Sequence, residues 1–388
     1  MYPTFSDLLK DLFGFYLPLP IQTFGFFVAL AFLAGAYLLN MELKRREKLG
    51  WLSPVHETRK VDDTSNIFKL LSYGSLGFFI GYKLGYIIFH WAMFAMDAPT
   101  VLASSKGNPA GGVVVGVLFL VLKYRDKKNK ASANVKETHE VVWPHQRVGS
   151  IIGIAAIWGF AGAKLFDGLE NWNSYMENPW NSFLSLSGLT YYGGLIMAAA
   201  GILWYARKKE INRWHLVDSA APALMLSYGM GRIGCHMAGD GDWGIVNTHP
   251  KPFVALPDWM WSYTYPHNIS NEGRPIPGCR GLHCFELPQG VYPTSVYEVI
   301  LCCVLFLVLW GFRKKIKIPG LIFGIYLAMN GTERFSIELI RVNSKYVFLG
   351  IEVTQAELIS LVLVFSGFVI IFLRLLRPLA ILTKPSNT

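Results

Sequence analysis

Long apolar segments separated by short polar ones recur along the whole chain. The hydrocarbon core of a membrane is about 30 Å thick, and about 20 apolar residues in a helix span it. Backbone polar groups have no water partner in lipid, so the segments are predicted to be helices rather than open strands. The candidates lie at residues 18–40, 66–95, 110–123, 148–166, 190–206, 214–236, 294–312, 319–337 and 356–376. The pattern predicts an all-α, polytopic membrane helical bundle of about nine spans, formed as a single domain over residues 1–388.

Two polar features refine this pattern. The segment 110–123 is short and glycine-rich, which is typical of a re-entrant or tilted span, and residues 124–147 show no periodicity and are interpreted as a mobile loop. With the N-terminus outside, the predicted cytoplasmic loops and C-terminal tail hold 22 of the 36 lysine and arginine residues, and the predicted outer segments hold 7. Cytoplasmic loops carry such an excess, so an N-out, C-in topology is expected.

No basic region or small-residue cleavage site precedes Phe26, which argues against a cleavable signal.

Composition supports the membrane interpretation. Charged residues make up 16% of the chain, whereas a soluble domain carries about a quarter, and hydrophobic residues make up 52%. The formal net charge of +10 is typical of nucleic-acid binding in other contexts. Here the basic residues are clustered beside apolar segments, so they indicate membrane topology and no nucleic-acid partner is expected.

The longest polar segment, residues 240–293, lies outside in this topology and is rich in proline and aromatic residues. Aromatic rings favour the headgroup level of a membrane, so we expect a periplasmic cap segment lying on the membrane; an ordinary soluble loop is the alternative. Cys279 and Cys284 are separated by four residues. An oxidising compartment favours a small-loop disulfide between them over a metal site with His283, because no second ligand pair with zinc-like spacing is nearby.

Charged side chains at membrane depth are the candidates for chemistry. An arginine near the bilayer centre costs about 2.5–3.5 kcal/mol on insertion scales, so it faces a partner or a polar cavity. Arg232 ends the sixth predicted span between Gly231 and Gly234, and these glycines are expected to let a ligand approach the backbone and to expose amide donors.

A second charged group follows the eighth predicted span. Arg334, Glu338 and Arg341 have helical spacing and share one helix face. Two guanidinium groups suit a phosphate, because their planar forks match its oxygens in bidentate pairs. Glu338 would hold Arg334 in place for that purpose. The alternative is that Arg334 and Glu338 form a buried pair that fastens two helices.

Motifs around these residues resemble the prolipoprotein diacylglyceryl transferase family. Residues 231–234 (Gly-Arg-Ile-Gly) followed by Gly239-Asp240 are similar to the family's Gly-Arg-x-Gly-Asn-Phe-x-Asn-Gly-Glu. Residues 192–195 (Tyr-Gly-Gly-Leu) look like its His-Gly-Gly-Leu, and residues 292–298 (Tyr-Pro-Thr-Ser-Val-Tyr-Glu) look like its His-Pro-Ser-Gln-Leu-Tyr-Glu. Residues 334–341 look like its final Arg–Glu–Arg helix.

The resemblance covers about residues 18–40 and 148–376, and residues 66–123 are interpreted as an inserted transmembrane hairpin. It implies a bacterial inner-membrane enzyme that moves the diacylglyceryl group of phosphatidylglycerol to the lipobox cysteine of a preprolipoprotein and releases glycerol 1-phosphate, the first step of lipoprotein maturation. The implied partners are phosphatidylglycerol, lipobox peptides and membrane lipid, with no cofactor and no metal. The alternatives are a lipid or anion transporter, whose site would lie nearer the membrane midplane, and an inactive relative that only binds lipoprotein precursors.

The resemblance also implies roles for individual residues. The catalytic candidates are Arg232, Arg334, Glu338, Tyr192, Asp240 and His236. The substrate-binding candidates are Arg232, Arg334, Gly231, Gly234, Gly193, Gly194, Glu298, Tyr297, Lys164 and Arg341.

Several of these positions depart from the family pattern. Tyr192 stands where the family has a histidine suited to deprotonating the thiol, and a phenol is a poor base unless it is perturbed. His236 is a replacement for that base or an unligated histidine at a helix end. Asp240 stands where the family has a glutamate, with one extra residue after it. Lys164 either contacts a lipid phosphate or extends to the membrane interface.

Overall fold

Nine helices of 18 or more residues dominate the part of the chain that the computed structural model describes. It describes residues 1–15, 17, 19, 21–60, 67–96, 101, 102, 104–131, 137–177, 190–279, 281–348 and 350–382. The long helices are α2 (Thr23–Lys48), α3 (Ile67–Phe89), α5 (Pro109–Ala131), α6 (Val148–Glu170), α8 (Tyr191–Lys208), α9 (Arg213–Ala238), α11 (Thr294–Phe312), α12 (Leu321–Glu338) and α13 (Gln355–Leu382). Each of the nine apolar segments predicted from the sequence corresponds to one of these helices.

The remaining elements of the described residues are short. The short helices are α1 (Phe5–Phe13), α4 (Trp91–Met96), α7 (Trp172–Glu177) and α10 (Asp258–Trp261), with a 3₁₀ turn at Pro144–Arg147. The strands are β1 (Val55–Lys60), β2 (Glu137–Val142), β3 (Arg274–Pro275), β4 (Phe285–Glu286), β5 (Lys345–Phe348) and β6 (Ile351–Thr354), paired antiparallel as β1–β2, β3–β4 and β5–β6.

Four helical stretches among the described residues are long and apolar enough to cross a membrane by length and composition. They are Thr23–Lys48, Pro144–Glu170, Thr294–Phe312 and Gln355–Leu376. Many of their apolar side chains are exposed, among them Phe365 (71% exposed) on α13. Exposed apolar helix faces of this length are stable in lipid and costly in water. The chain is therefore a mostly helical membrane protein.

Helix α9 is the centre of the bundle, and α2, α11 and α12 pack against it. Gly35 of α2 allows a close contact, since an added Cβ there would lie 2.5 Å from the Ser227 hydroxyl. That hydroxyl donates a hydrogen bond to the Ala31 carbonyl at 2.8 Å. On another side, Met225 packs against Cys302 of α11 and Ile322 of α12 in one buried cluster. Small residues at such contacts let helix backbones approach closely in membranes.

Helices α6 and α8 form a second tightly packed pair. An added Cβ at Gly193 would lie 2.4 Å from the Phe166 Cβ, and one at Gly194 would lie 3.0 Å from the Gly159 carbonyl oxygen. The structure thus places Gly193 and Gly194, substrate-binding candidates from the sequence, at the contact between the two helices.

The predicted inserted hairpin contains α3 and α5, which pack against each other along a glycine-rich interface. An added Cβ at Gly81 would lie 2.2 Å from the Gly111 carbonyl oxygen. Helix α5 continues for 23 residues to Ala131. This helix extends past its apolar part into basic residues, and the expectation of a re-entrant or tilted span at residues 110–123 stays a prediction.

Residues 124–147, interpreted from the sequence as a mobile loop, contain regular structure in the part that the structure describes. Helix α5 occupies its beginning, and β2 pairs with β1 in a register that matches Val55 with Val142. This pairing joins segments that are distant in sequence and rich in charged residues, so local apolar periodicity gave no sign of it.

A buried ionic cluster links α2, α9 and α12 at the end of the bundle opposite residues 240–293. Arg46, 1% exposed, contacts His215 Nδ1 at 2.9 Å and an Asp218 carboxylate oxygen at 3.5 Å. Asp218 accepts hydrogen bonds from the amides of Gly320 at 2.8 Å and Phe323 at 2.9 Å. Arg46 and Asp218 pair with each other, and Asp218 also binds free backbone amides at the start of α12. This cluster therefore stabilises the packing of the three helices.

The described part of residues 240–293 folds over the ends of α9, α11 and α12. It has its own small core of Trp243, Tyr265, Leu287 and Val291. The Ile245 amide donates to the Ile340 carbonyl at 2.9 Å, which fixes the segment to the end of α12. The sulfurs of Cys279 and Cys284 are bonded to each other, so the predicted disulfide is confirmed.

Candidate active site

Glu298 lies at the centre of a buried cluster of charged side chains. It is fully buried in the second turn of α11, where the sequence predicted a substrate-binding residue. The Arg232 Nε lies 3.1 Å from its Oε2, the Arg334 Nη1 donates to its Oε1 at 2.9 Å, and the Arg341 Nη1 lies 3.8 Å from Oε1. A carboxylate buried at this depth needs such partners, because burying an unpaired charge is costly. We refer to Arg232, Arg334, Arg341, Glu298, Glu338 and Asp242 as the arginine cluster.

Arg232 extends from α9 and joins three elements. Its Nε faces Glu298, its Nη1 donates to Asp242, and its Nη2 donates to the Tyr228 hydroxyl at 3.2 Å. The Tyr228 hydroxyl in turn donates to Glu298 Oε1 at 3.0 Å. This closed network orients the guanidinium plane of Arg232, which is 14% exposed.

The glycines beside Arg232 lie inside a helix and do not have the role that the sequence predicted. Helix α9 continues to Ala238, so Gly231 and Gly234 lie inside the helix and their amides belong to its hydrogen bonding. The prediction that they expose amide donors is wrong. An added Cβ at Gly231 would meet nothing within 4 Å, so the helix surface there is open, whereas Gly234 packs against Phe24 of α2.

Arg334 and Glu338 form the pair expected from their spacing. The Arg334 Nη2 lies 3.0 Å from Glu338 Oε2, and the Asn343 side-chain amide donates to Glu338 Oε1 at 2.6 Å. Because Arg334 also donates to Glu298, the pair belongs to a network that joins α11 and α12. Arg341, just beyond the end of α12, contacts the Asp242 carboxylate.

Asp242 is a member of the cluster that the sequence analysis missed. Its carboxylate contacts both Arg232 and Arg341. The predicted residue, Asp240, accepts a hydrogen bond from the Asp242 amide at 3.3 Å through Oδ1. One extra residue follows Asp240 when this sequence is set beside the family motif, so either Asp240 or Asp242 can occupy the position of the family's glutamate. This ambiguity was the signal in the sequence that could have pointed to Asp242.

Asp242→Asn is expected to lower kcat/KM about 10–100-fold, because a hydrogen bond to a charged group contributes about 1.5–3 kcal/mol. The charge lost is the one that orients Arg232 and Arg341. Asp240→Asn is the matched control and is expected to stay within about threefold of the parent, since its carboxylate faces a backbone amide. Initial rates on both variants check this. A larger loss in Asp240→Asn would reverse the assignment.

Two catalytic or binding candidates, His236 and Tyr297, contact residues 240–293 instead. His236 Nδ1 lies 3.3 Å from the Tyr265 hydroxyl and 3.4 Å from the Ser295 hydroxyl. Burial raises the pKa of Tyr265, so its hydroxyl keeps its proton. Tyr297 donates to the Met260 carbonyl at 3.0 Å. The structure therefore places both side chains in contacts that hold residues 240–293 on the bundle.

The first turn of α8 approaches the arginine cluster with a residue that the sequence analysis did not select. The Tyr191 hydroxyl lies within electrostatic range of Arg232, Arg334 and Glu298. Tyr192, the predicted residue, packs its ring edge-on against Tyr191 with centroids 5.4 Å apart. The family motif pointed to position 192 by alignment alone, and side-chain direction on a helix is not visible in such an alignment.

Tyr191→Phe is expected to reduce kcat about tenfold, because it removes a donor near the charged groups of the arginine cluster, and one hydrogen bond to a charged group contributes about 1.5 kcal/mol. Tyr192→Phe is the matched comparison and is expected to retain nearly the parental rate. Both changes remove one oxygen and keep the ring packing. If Tyr192→Phe is the slower variant, the hydroxyl that serves the site is the one named by the sequence motif.

Lys164, the remaining predicted contact, is buried on α6, with 2% of its surface exposed. The neighbouring Ala163 carbonyl accepts a hydrogen bond from the Thr190 amide at 3.2 Å, at the start of α8. Lys164 therefore lies close to the junction of α6 and α8.

One group of side chains in the described residues has the spacing of a metal site. Ligand atoms of Cys235, Asp240 and Asp242 lie within 4.8 Å of one another. The guanidinium groups of Arg232 and Arg341 contact Asp242 and place positive charge beside this group. Positive charge at that distance opposes a cation, so the group suits an arginine-bound carboxylate better than a metal.

Sequence comparisons with known proteins point to one protein family. The sequence profile described as prolipoprotein diacylglyceryl transferase matches residues 11–153 and 112–373. A phosphatidylglycerol–prolipoprotein diacylglyceryl transferase of Dehalococcoides mccartyi is 27% identical over 237 residues, which is 59% of this chain and 77% of the relative. The enzymes of the same name from Enterococcus faecalis and Vibrio cholerae are 29% and 26% identical, over 57% and 66% of this chain and 74% and 82% of theirs. The arginine cluster lies inside the matched region.

Proposed function

The chain belongs to the prolipoprotein diacylglyceryl transferase family, and from this membership we propose that it is a phosphatidylglycerol–prolipoprotein diacylglyceryl transferase. It transfers the diacylglyceryl group of phosphatidylglycerol to the lipobox cysteine thiol of a preprolipoprotein and releases glycerol 1-phosphate. One structural observation carries the assignment of the site: Arg232 of α9 and Arg334 of α12 converge on Glu298 of α11.

The membrane arrangement follows from the helices and the basic residues. We propose that all nine long helices cross the inner membrane of a bacterium, with the N-terminus outside and the C-terminus inside. The excess of lysine and arginine in the alternate loops supports this orientation. Residues 240–293 then form a cap on the outer face, and the arginine cluster lies beneath it in the outer leaflet, where lipid headgroups and secreted precursors meet.

The cluster has the donors that a phosphodiester needs. A guanidinium carries five N–H groups. Among the described residues, the contacts of Arg334 with Glu298 and Glu338 engage only part of its donors, and the same holds for Arg232. Arg232 and Arg334 are each 14% exposed, so they can reach a ligand. The carboxylates fix the guanidinium planes and leave N–H groups for a headgroup phosphate.

Three arginines and three carboxylates make the cluster neutral in total when all are charged. A phosphodiester therefore brings one negative charge that direct guanidinium contacts must balance. During transfer the sulfur attacks the terminal glyceryl carbon, the C–O bond breaks, and its electron pair stays on the phosphate oxygen. Donors already oriented toward that oxygen stabilise the developing charge more than they stabilise the substrate.

The direct test uses purified protein in phosphatidylglycerol vesicles with a lipobox peptide. Mass spectrometry is expected to show a diacylglyceryl thioether and an equal amount of glycerol 1-phosphate, and a peptide with serine in place of the lipobox cysteine should give neither. Lipid or anion flux across the vesicles without a covalent product would support the transporter alternative. Peptide binding without turnover would support an inactive relative.

A further inference from the structure

Glu333 is a carboxylate in an otherwise apolar stripe of α12. It continues a face formed by Ile322, Tyr326 and Met329, which packs against α9 and α11. Only 4% of its surface is exposed. Because a helix rises about 1.5 Å per residue, Glu333 lies at nearly the same depth as Arg334.

Glu333 differs from the other carboxylates at this depth in having no bonded partner within the described residues. Neither of its oxygens accepts or donates a hydrogen bond there, although both are buried. Glu298, by contrast, faces three arginines, and Glu338 faces Arg334. A methionine or leucine would fill the stripe at a lower cost than an unpaired carboxylate, so packing does not account for an acid at this position.

Charged groups surround Glu333 at this depth. Glu298 carries the same charge as an ionised Glu333, Arg232 and Arg334 carry the opposite charge, and all three lie close enough to act on its carboxyl group. A carboxylate that has no bonded partner among the described residues and lies beside two arginines is available to accept a proton.

The titratable or charged side chains that face Glu333 come from α9, α11 and its own helix. They are Tyr228 and Arg232 of α9, Glu298 and Cys302 of α11, and Tyr326 and Arg334 of its own helix. Helix α13 contributes none between Glu357 and Arg374.

We infer that Glu333 is the group that removes the proton from the lipobox thiol. This inference rests on the proposed function. The S–H proton moves to the Glu333 carboxylate, the sulfur forms its bond to the glyceryl carbon, and the C–O bond breaks with its electron pair on the phosphate oxygen. Glycerol 1-phosphate leaves from the arginines, and the proton then passes from Glu333 to water or to the departing phosphate. The assignment supplies a base where Tyr192 replaces the family histidine and where His236 faces the cap.

Glu333→Gln tests the assignment because glutamine keeps the shape and removes the base. The variant is expected to lose about 10²–10³-fold in kcat with a lipobox peptide, within the usual range for general-base catalysis. A peptide with selenocysteine in the lipobox should restore most of that rate, because a selenol is already ionised at neutral pH. Glu352→Gln, at an exposed strand position, is the matched control and should behave as the parent.

The pH profile gives a second readout. With the thiol peptide, the rise of kcat/KM with pH should differ between the unaltered protein and Glu333→Gln, because only the unaltered protein has the base, whereas with the selenol peptide the two profiles should coincide. If Glu333→Gln fails to fold, Glu333→Met, which suits the apolar stripe, takes its place in the same assays. Parental rates in these variants, or equal losses with thiol and selenol, would overturn the role of Glu333. Absence of thioether with the unaltered protein would instead contradict the proposed function.

Discussion

Arg232→Lys is expected to lower kcat/KM by about 10²–10³-fold, the usual effect of removing one oriented donor from a site that stabilises developing charge. The guanidinium reaches Glu298, Asp242 and Tyr228 through three different nitrogens. A lysine ammonium is a single point charge and cannot hold this planar fork. Initial rates with phosphatidylglycerol vesicles and a lipobox peptide measure the effect.

The control for this change is Arg274→Lys, which lies within residues 240–293. Arg274 also binds a glutamate, with Nη2 donating to Glu286 at 2.8 Å, but its side chain is 62% exposed. An exposed ion pair contributes about 0–1 kcal/mol, so this variant should keep its rate and its melting temperature. An Arg232→Lys variant within about threefold of the parent would remove the guanidinium fork from the chemistry.

Glu298→Gln is expected to have the largest effect on stability. Glu298 is the only carboxylate among the described residues that faces all three arginines of the cluster, and it is fully buried. Removing its charge leaves buried guanidinium groups without their shared partner, a type of change that costs about 3–5 kcal/mol. The apparent melting temperature in detergent should fall clearly and transfer should be lost.

The matched change for Glu298→Gln is Glu286→Gln, which removes a carboxylate from an exposed pair on the surface. It should leave both the melting temperature and the rate nearly unchanged. A Glu298→Gln protein with parental stability and parental rate would show that the three arginines are held independently of this carboxylate, which would contradict the organisation described for the site.

The long helices were predictable because lipid imposes a simple rule on the sequence. Every buried backbone group must be paired inside its own segment, so an apolar run becomes a helix. The apolar pattern did not predict the regular structure that polar residues form. Helix α5 extends beyond its apolar part to Ala131, and β1 pairs with β2 through charged residues that show no local pattern.

The charged members of the site were largely predictable, because an arginine in an apolar segment must have a partner. The spacing of Arg334 and Glu338 predicted their ion pair, which the structure contains. The identity of the shared partner was not predictable. Glu298 became the centre of the cluster only through the packing of α11 against α9 and α12, which is a tertiary contact that one sequence does not reveal.

Side-chain direction explains most of the remaining differences. His236 follows Arg232 by one helical turn, yet its ring contacts Tyr265, which belongs to residues 240–293. Asp240 and Asp242 are two residues apart in one loop, and the fold brings only the second onto the arginines. Glu333 gave no signal as a site residue, because a charged residue beside Arg334 resembles a simple neighbour until its burial without a partner is visible.

The position of a bound phospholipid tests the central claim most directly. A density map of the protein in phosphatidylglycerol nanodiscs is expected to show the headgroup phosphate within hydrogen-bonding distance of both Arg232 and Arg334, at about 2.7–2.9 Å from their nitrogens. A phosphate bound instead at the opposite end of the bundle, near Arg46, with the arginine cluster closed by its own carboxylates alone, would contradict the account.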